Sequence, residues 1–224
     1  MAEQAGRNTI SILIVEDEGL YRDMLKISLS SFPNLRVVGA VADGTEAIRV
    51  ARELRPDVVL MDIELGTEPN GIETGRLIRE ELPKLGIVIL SMHRDKQYIG
   101  SLSLQEAAGW SYLLKQSVGN TAALGRAIEG SAAGFVVLDP EVVRGMTPRQ
   151  GSLSSRLTPR QLEVLALMAQ GYNNTAIAEK LVLGSKSVEN YINAIYQELN
   201  IDPDERVHPR VYSVLSYIQD SYTQ

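Results

Sequence analysis

Carboxylates, a hydroxyl and a lysine close four of the apolar runs in the first half of this 224-residue chain. Ile12-Leu13-Ile14-Val15 ends in Glu16-Asp17-Glu18. Val58-Val59-Leu60-Met61 ends in Asp62, with Glu64 two residues further on. Ile87-Val88-Ile89-Leu90 ends in Ser91, and Tyr112-Leu113-Leu114 ends in Lys115. Clustered carboxylates repel one another unless a cation joins them. Oxygen-only ligands suit a hard ion, and Mg²⁺ suits a site with few protein ligands and several waters. A carboxylate held against Mg²⁺, beside a lysine and a hydroxyl, can accept a phosphoryl group, because metal and ammonium neutralise the transferring oxygens. Any one of these acids reads equally well as a solvated loop residue. The ordered set of acid pair, Asp, Ser and Lys at four run ends does not.

For that chemistry the run ends must meet at one edge. Runs of about four apolar residues suit strands buried on both faces of a parallel sheet, and residues 35–41 supply one more, making five. Between them, Tyr21, Met24, Leu25, Ser28 and Leu29 keep helical spacing, as do residues 44–54 and 72–82. Strand–helix alternation over about 130 residues predicts an α/β domain with a doubly wound, five-stranded parallel sheet. Ligands of such sheets sit outside the carboxyl ends of the strands, which is where the candidate residues fall.

From Ala132 the pattern changes. Residues 145–155 are rich in Gly, Ser and Pro and read as linker. Beyond them no strand pattern appears, and four helical segments follow. The expected organisation is an α/β domain at 9–131, a linker at 132–155 and a smaller all-α domain at 156–224. Thr158-Pro159-Arg160-Gln161 is a capping box with proline at the first helical position. Leu162, Leu165, Ala166 and Ala169 then share a face, and Gly171 ends the helix. Asn173 or Asn174 opens a short helix with Ile177, Ala178 and Leu181. After Gly184-Ser185 a longer helix carries Val188, Ile192, Ile195 and Leu199. A short helix, a tight turn and a longer helix make a helix-turn-helix. The polar face of the longer helix carries Lys186, Glu189, Asn190, Asn193 and Gln197. Asn and Gln can pair with adenine and Glu with cytosine, although any amphipathic helix has such a face.

Composition bounds the classes. The chain has no cysteine and a formal charge of −6, so disulfides and thiolate metal sites are excluded and no basic footprint advertises nucleic acid. Residues 1–9 are polar, which predicts no signal peptide, and no apolar run approaches the ~20 residues of a membrane span. A soluble, cytoplasmic protein is expected.

The first set of motifs, Ile12-Leu13-Ile14-Val15-Glu16-Asp17-Glu18, Pro56-Asp57-Val58-Val59-Leu60-Met61-Asp62, Ile89-Leu90-Ser91 and Tyr112-Leu113-Leu114-Lys115, resembles the flavodoxin-like receiver domain of two-component response regulators over residues 9–130. The resemblance implies Asp62 as phosphoacceptor for a sensor histidine kinase. It implies Asp17 as a Mg²⁺ ligand with Glu16 nearby, the Glu64 backbone carbonyl completing the ligands. Ser91 and Lys115 would bind phosphoryl oxygens, and Tyr112 matches the aromatic switch residue. The second set is Leu157-Thr158-Pro159-Arg160-Gln161-Leu162-Glu163-Val164-Leu165, Gly171-Tyr172-Asn173-Asn174, Ile177-Ala178 and Ser187-Val188-Glu189-Asn190-Tyr191. It resembles the LuxR-type DNA-binding domain over residues 155–201. A receiver joined to it is the NarL/FixJ type of regulator. The longer helix would then enter the major groove of double-stranded DNA with Lys186, Ser187, Glu189, Asn190, Asn193 and Gln197. The last helix, with Val211, Val214, Leu215 and Ile218, would either pair two domains into a homodimer or cap its own core.

Several positions depart from the pattern. Gly66 stands four residues after Asp62 where the family usually has proline, and Gly71 lies nine residues after it rather than eight. Met92 follows Ser91 where a small residue is usual, and Glu64 and His93 flank the route of water to Asp62. An altered phosphoryl lifetime is expected. Residues 151–224 hold six Lys/Arg against eight acids, a net of −2. Phosphate neutralisation dominates DNA affinity, so dimerisation on a palindromic site should be needed. Two alternatives remain: a regulator whose C-terminal domain acts through protein contacts, and a haloacid-dehalogenase-type phosphatase built on Asp62-Ile63-Glu64.

Overall fold

The computed structural model describes residues 9–94, 98–99, 103–201 and 208–222. The polar start at 1–8 and most of the charged loop after Asn200 (202–207) lie outside the described residues. Five parallel strands appear where the apolar runs predict them: β1 (Ile10–Val15), β2 (Leu35–Val41), β3 (Val58–Asp62), β4 (Gly86–Ser91) and β5 (Trp110–Leu114). A sixth, β6 (Val137–Leu138), joins beside β5, and the sheet order is β2-β1-β3-β4-β5-β6. Two residues are too few to leave a periodic signal, so β6 was hidden in a stretch that reads as linker.

Helices α1 (Gly19–Ser30), α2 (Gly44–Leu54), α3 (Gly71–Glu81), α4 (Leu104–Ala107) and α5 (Thr121–Ala132) connect the strands. Strand residues alternate between two cores. Ile12, Ile14, Leu60, Val88 and Leu90 pack with Leu25 and Leu29 of α1 and Leu124 and Ile128 of α5. Leu13, Val15, Val59, Met61, Ile87 and Ile89 pack on the other face with Ala47 and Ala51 of α2 and Ile78 of α3. Each such fully buried aliphatic side chain stabilises the fold by about 1.5–3 kcal/mol. Both faces are covered, so the carboxyl edge is the open part of the sheet.

After β6 a short helix α6 (Pro140–Arg144) follows, capped by Asp139, whose side chain accepts from the backbone N–H groups of Glu141 (2.7 Å) and Leu114 (3.1 Å). Asp139 is fully buried, and its two bonds fasten the start of the connecting segment to β5. The helical domain contains α7 (Pro159–Ala169), α8 (Asn174–Leu181), α9 (Ser185–Glu198) and α10 (Pro209–Tyr222). The capping box at Thr158 and Gln161 is formed. Val188, Ile192, Ile195 and Leu199 are all buried, as the spacing requires.

The second core does not stop at the domain edge. It continues through Leu138, Val142, Val143, Met146 and Leu157 into Val164, Leu165 and Ile218. Polar contacts bracket this seam. Arg126 of α5 donates to the Gln170 carbonyl (3.0 Å) and its guanidinium lies 4.1 Å from the Tyr172 ring centroid, with Lys180 at 4.7 Å from the same ring. Phe135 meets His208 edge-on at 5.2 Å. Helix α10 is gripped from the linker: Asp220 accepts from the Ser154 backbone (2.8 Å), and Tyr222 donates to the Val142 carbonyl (3.1 Å). Its stripe of Val211, Val214, Leu215 and Ile218 is buried inside this chain.

Candidate functional site

Register brings the candidate residues together. β1 pairs with β3, β3 with β4 and β4 with β5, all parallel, so Glu16, Asp62, Ser91 and Lys115 leave neighbouring strands at one edge. Lys115 Nζ lies 2.9 Å from Asp62 Oδ2 and 2.9 Å from Glu16 Oε2. Glu16 is fully buried, Asp62 is 3 % exposed and Asp17 is open to solvent. Burial pushes the Asp62 carboxyl above its ordinary value, opposed by the hydrogen bond from Lys115. Burial likewise pushes Glu16 up to about 6, again opposed by Lys115 and reinforced by repulsion from Asp62. Burial alone would lower the Lys115 ammonium, but its bonds to Asp62 and Glu16 outweigh this and raise it.

A cation fits this cluster. One carboxylate oxygen from each of Glu16, Asp17 and Asp62 can be chosen so that all lie within 4.8 Å of one another. The buried Glu16 Oε2, although near Lys115 Nζ, has no hydrogen bond of good geometry among the described residues. Oxygen donors in this number match a hard divalent ion that keeps some water.

The loop after Asp62 is shaped by its glycines. A β-carbon at Gly71 would sit 1.8 Å from the Asp62 carbonyl oxygen, so no side chain is tolerated there. Gly66 adopts φ 65°, and a β-carbon on it would approach Asp17 Oδ2 at 3.2 Å. Gly71 thus opens α3 directly against the Asp62 peptide. Asp62 Oδ1 accepts from the Glu64 backbone N–H at 3.3 Å.

Ser91 is brought to the edge, where its hydroxyl pairs with the backbone of His93, donating to the carbonyl (3.0 Å) and accepting from the N–H (3.1 Å). Tyr112 lies buried and donates its hydroxyl to the same His93 carbonyl (2.5 Å). Met92 is 64 % exposed. Two neighbours were missed by sequence reasoning. Tyr21 donates to the Lys115 carbonyl at 3.0 Å, and Arg22 donates to the carbonyls of Glu16 and Asp17. Their signal was present only as position in the first turn of the helix after the acid pair. A cavity of about 580 Å³ at the opposite end of the sheet, beside Thr9, Arg55 and Asp57, contains none of these groups.

On α9 the residues Lys186, Glu189, Asn190, Asn193 and Gln197 are exposed, and Ser187 is partly so. Lys186 is paired with Glu189 at 3.0 Å. Gly184 caps α9 without a side-chain hydrogen bond, and Val182 in the preceding turn has φ 53°.

Comparison with known proteins bears on both halves. The family model for the response regulator receiver domain matches residues 12–128, and that for bacterial regulatory proteins of the luxR family matches residues 155–207. The transcriptional regulatory protein DegU of Brevibacillus brevis is 31 % identical over 223 residues, covering 90 % of this chain and 92 % of DegU. The response regulator protein VraR of Staphylococcus aureus is 32 % identical, covering 92 % and 96 %. A solved RcsB response regulator of Salmonella typhimurium shares the fold at TM-score 0.53 and 24 % identity, covering 88 % of this chain and 95 % of that one. DegU is by name a transcriptional regulatory protein, and VraR a response regulator. The chain belongs to the response regulator family of two-component systems, with a receiver domain followed by a LuxR-type DNA-binding domain.

Proposed function

We propose that this response regulator is switched by phosphorylation of Asp62 by a sensor histidine kinase and then binds double-stranded DNA as a homodimer. The observation that carries the reading is the buried Asp62 carboxylate, held by Lys115 beside Glu16 and the open Asp17. Asp62 supplies the nucleophilic oxygen. Lys115, which already holds Oδ2, is placed to follow the negative charge onto the transferred phosphoryl group. Ser91, at the end of the neighbouring strand β4, would bind the phosphoryl oxygens after releasing His93. Glu16, Asp17, Asp62 and the Glu64 carbonyl would hold Mg²⁺, which supplies charge neutralisation to the incoming phosphate. Residues 9–131 form the receiver, 132–155 the connection and 156–224 the DNA-binding domain. Within the last, Lys186, Ser187, Glu189, Asn190, Asn193 and Gln197 face the major groove.

Incubation with radiolabelled acetyl phosphate tests the switch. The wild type should take up label with Mg²⁺, lose uptake on chelation and lose it in Asp62→Asn. Label retained by Asp62→Asn would refute the assignment. A second reading, output through protein contacts, is favoured by the net charge of −2 over residues 151–224 and by the internal pairing of Lys186 with Glu189. Selection of DNA fragments by the phosphorylated protein at low salt separates the two, since failure to enrich any sequence supports protein contacts.

A further inference from the structure

We propose that Tyr21 is a positioning residue for Lys115, using its hydroxyl and its ring to keep the ammonium over Asp62. The inference rests on the reading of Asp62 as phosphoacceptor. Four contacts fix Lys115. Its ammonium reaches Asp62 Oδ2 and Glu16, each at 2.9 Å. Its carbonyl accepts the Tyr21 hydroxyl at 3.0 Å. Its Nζ lies 4.8 Å from the centroid of the Tyr21 ring.

The backbone contact matters because Lys115 stands where the chain leaves β5 for a 3-10 turn, Lys115–Ser117. Beyond the strand its carbonyl accepts the Val118 N–H (3.2 Å) from within the turn, and the hydroxyl of α1 adds a second anchor from a different element. The ring contact matters because a largely desolvated ammonium is attracted to an aromatic face, more strongly than an exposed one. Only 10 % of the Lys115 side chain is exposed.

The four contacts differ in what happens to them during reaction. Those to Asp62 and Glu16 involve the reacting carboxylate and its neighbour, so they change when a phosphoryl group is added. Those to Tyr21 involve no reacting atom. They can persist through transfer and leave the ammonium aimed at the place where new negative charge appears. Tyrosine at this position thus does two tasks that can be separated: phenylalanine keeps the ring and loses the anchor, and leucine loses both.

The test uses the full chain with Mg²⁺ and acetyl phosphate, comparing wild type, Tyr21→Phe and Tyr21→Leu. Three quantities are read: the rate of Asp62 labelling at saturating donor, the donor concentration giving half that rate, and the affinity for beryllofluoride by calorimetry. Melting temperature serves as the control for folding. Loss of one hydrogen bond should slow Tyr21→Phe by about three- to ten-fold at saturating donor, with the half-saturating concentration unchanged. Tyr21→Leu should be slower still, and beryllofluoride affinity should fall in the same order. Wild-type rates and affinities in folded Tyr21→Phe overturn the inference. So does a loss that is equal in both variants and follows their melting temperatures, since that is a packing effect. If Tyr21→Leu does not fold, Tyr21→Phe decides alone. Labelling that survives in Asp62→Asn overturns the acceptor reading and this inference with it, whereas a silent Asp62→Asn beside unaffected Tyr21 variants overturns the inference only.

Discussion

Glu16 carries no exposed surface, and burial lifts its carboxyl from 4.5 to about 6. The folded protein therefore keeps a proton there that the unfolded chain releases at lower pH. The stability tied to this group is complete below about pH 4.5 and falls as pH rises through about 6. Without divalent ions, wild type should lose of order 1 kcal/mol across that window relative to Glu16→Gln, as read by urea unfolding at several pH values. A flat difference between the two proteins would show that the enclosed carboxyl costs nothing. Val182 presents a different residue-scale cost: φ 53° on a β-branched side chain that is 91 % exposed. Asparagine tolerates that backbone region far better, so Val182→Asn should raise stability by about 0.5–1 kcal/mol, seen as a higher melting temperature. At this scale the sequence was legible where charge and position coincide. Glu16, Asp17, Asp62 and Lys115 could be named because each ends an apolar run. Tyr21 could not, because a tyrosine on helical spacing looks like any packing residue.

Among the elements, the helices most easily foreseen are those with strong caps. Thr158 and Gln161 announce α7, and the box is formed. The start of α9 is weaker, since Gly184 offers no side chain to the exposed N–H groups, and the nearest atom to a β-carbon there is Ser187 Oγ at 4.0 Å. There is room for a cap. Gly184→Ser should stabilise the helical domain by a few tenths of a kcal/mol in thermal unfolding. The Lys186–Glu189 pair is solvent-exposed and spaced i,i+3, so it adds only about 0.2–0.5 kcal/mol to the helix. Its larger effect falls on charge: Glu189→Gln leaves Lys186 free for a phosphate. Binding to a selected DNA site should then tighten several-fold at low salt and weaken more steeply as salt rises. An unchanged salt slope would mean that Lys186 does not face the duplex backbone. Strand β6 and helix α6 were not legible. Their cause is the buried Asp139, which ties α6 to β5 across 25 residues of sequence, and no local pattern reports such a bond.

The whole molecule is held by a seam whose members lie far apart in the chain. Val142 and Met146 join the receiver core to Val164 and Ile218, and Arg126 spans 44 residues to reach Gln170. Composition and periodicity carry no information about such pairings, so two domains could be foreseen but not their union. Tyr172 lies on the seam, where Arg126 of the receiver stacks on its ring beside Lys180 and Arg210 donates to its carbonyl. Tyr172→Ala should let the domains separate, giving a larger radius of gyration in X-ray scattering and faster proteolysis within 145–156, with the receiver's labelling rate unchanged. The seam also encloses the apolar stripe of α10. Any homodimer formed through that stripe must first give up its contacts within the chain, so the same variant should dimerise more readily in sedimentation.

The outer face of α9 meanwhile remains bare with the two domains in contact. The receiver therefore does not cover Lys186, Glu189, Asn190, Asn193 or Gln197. On the proposed reading, phosphorylation of Asp62 therefore has no lid to lift from α9. What the phosphoryl group would have to supply is then the second copy of the chain that holding DNA requires.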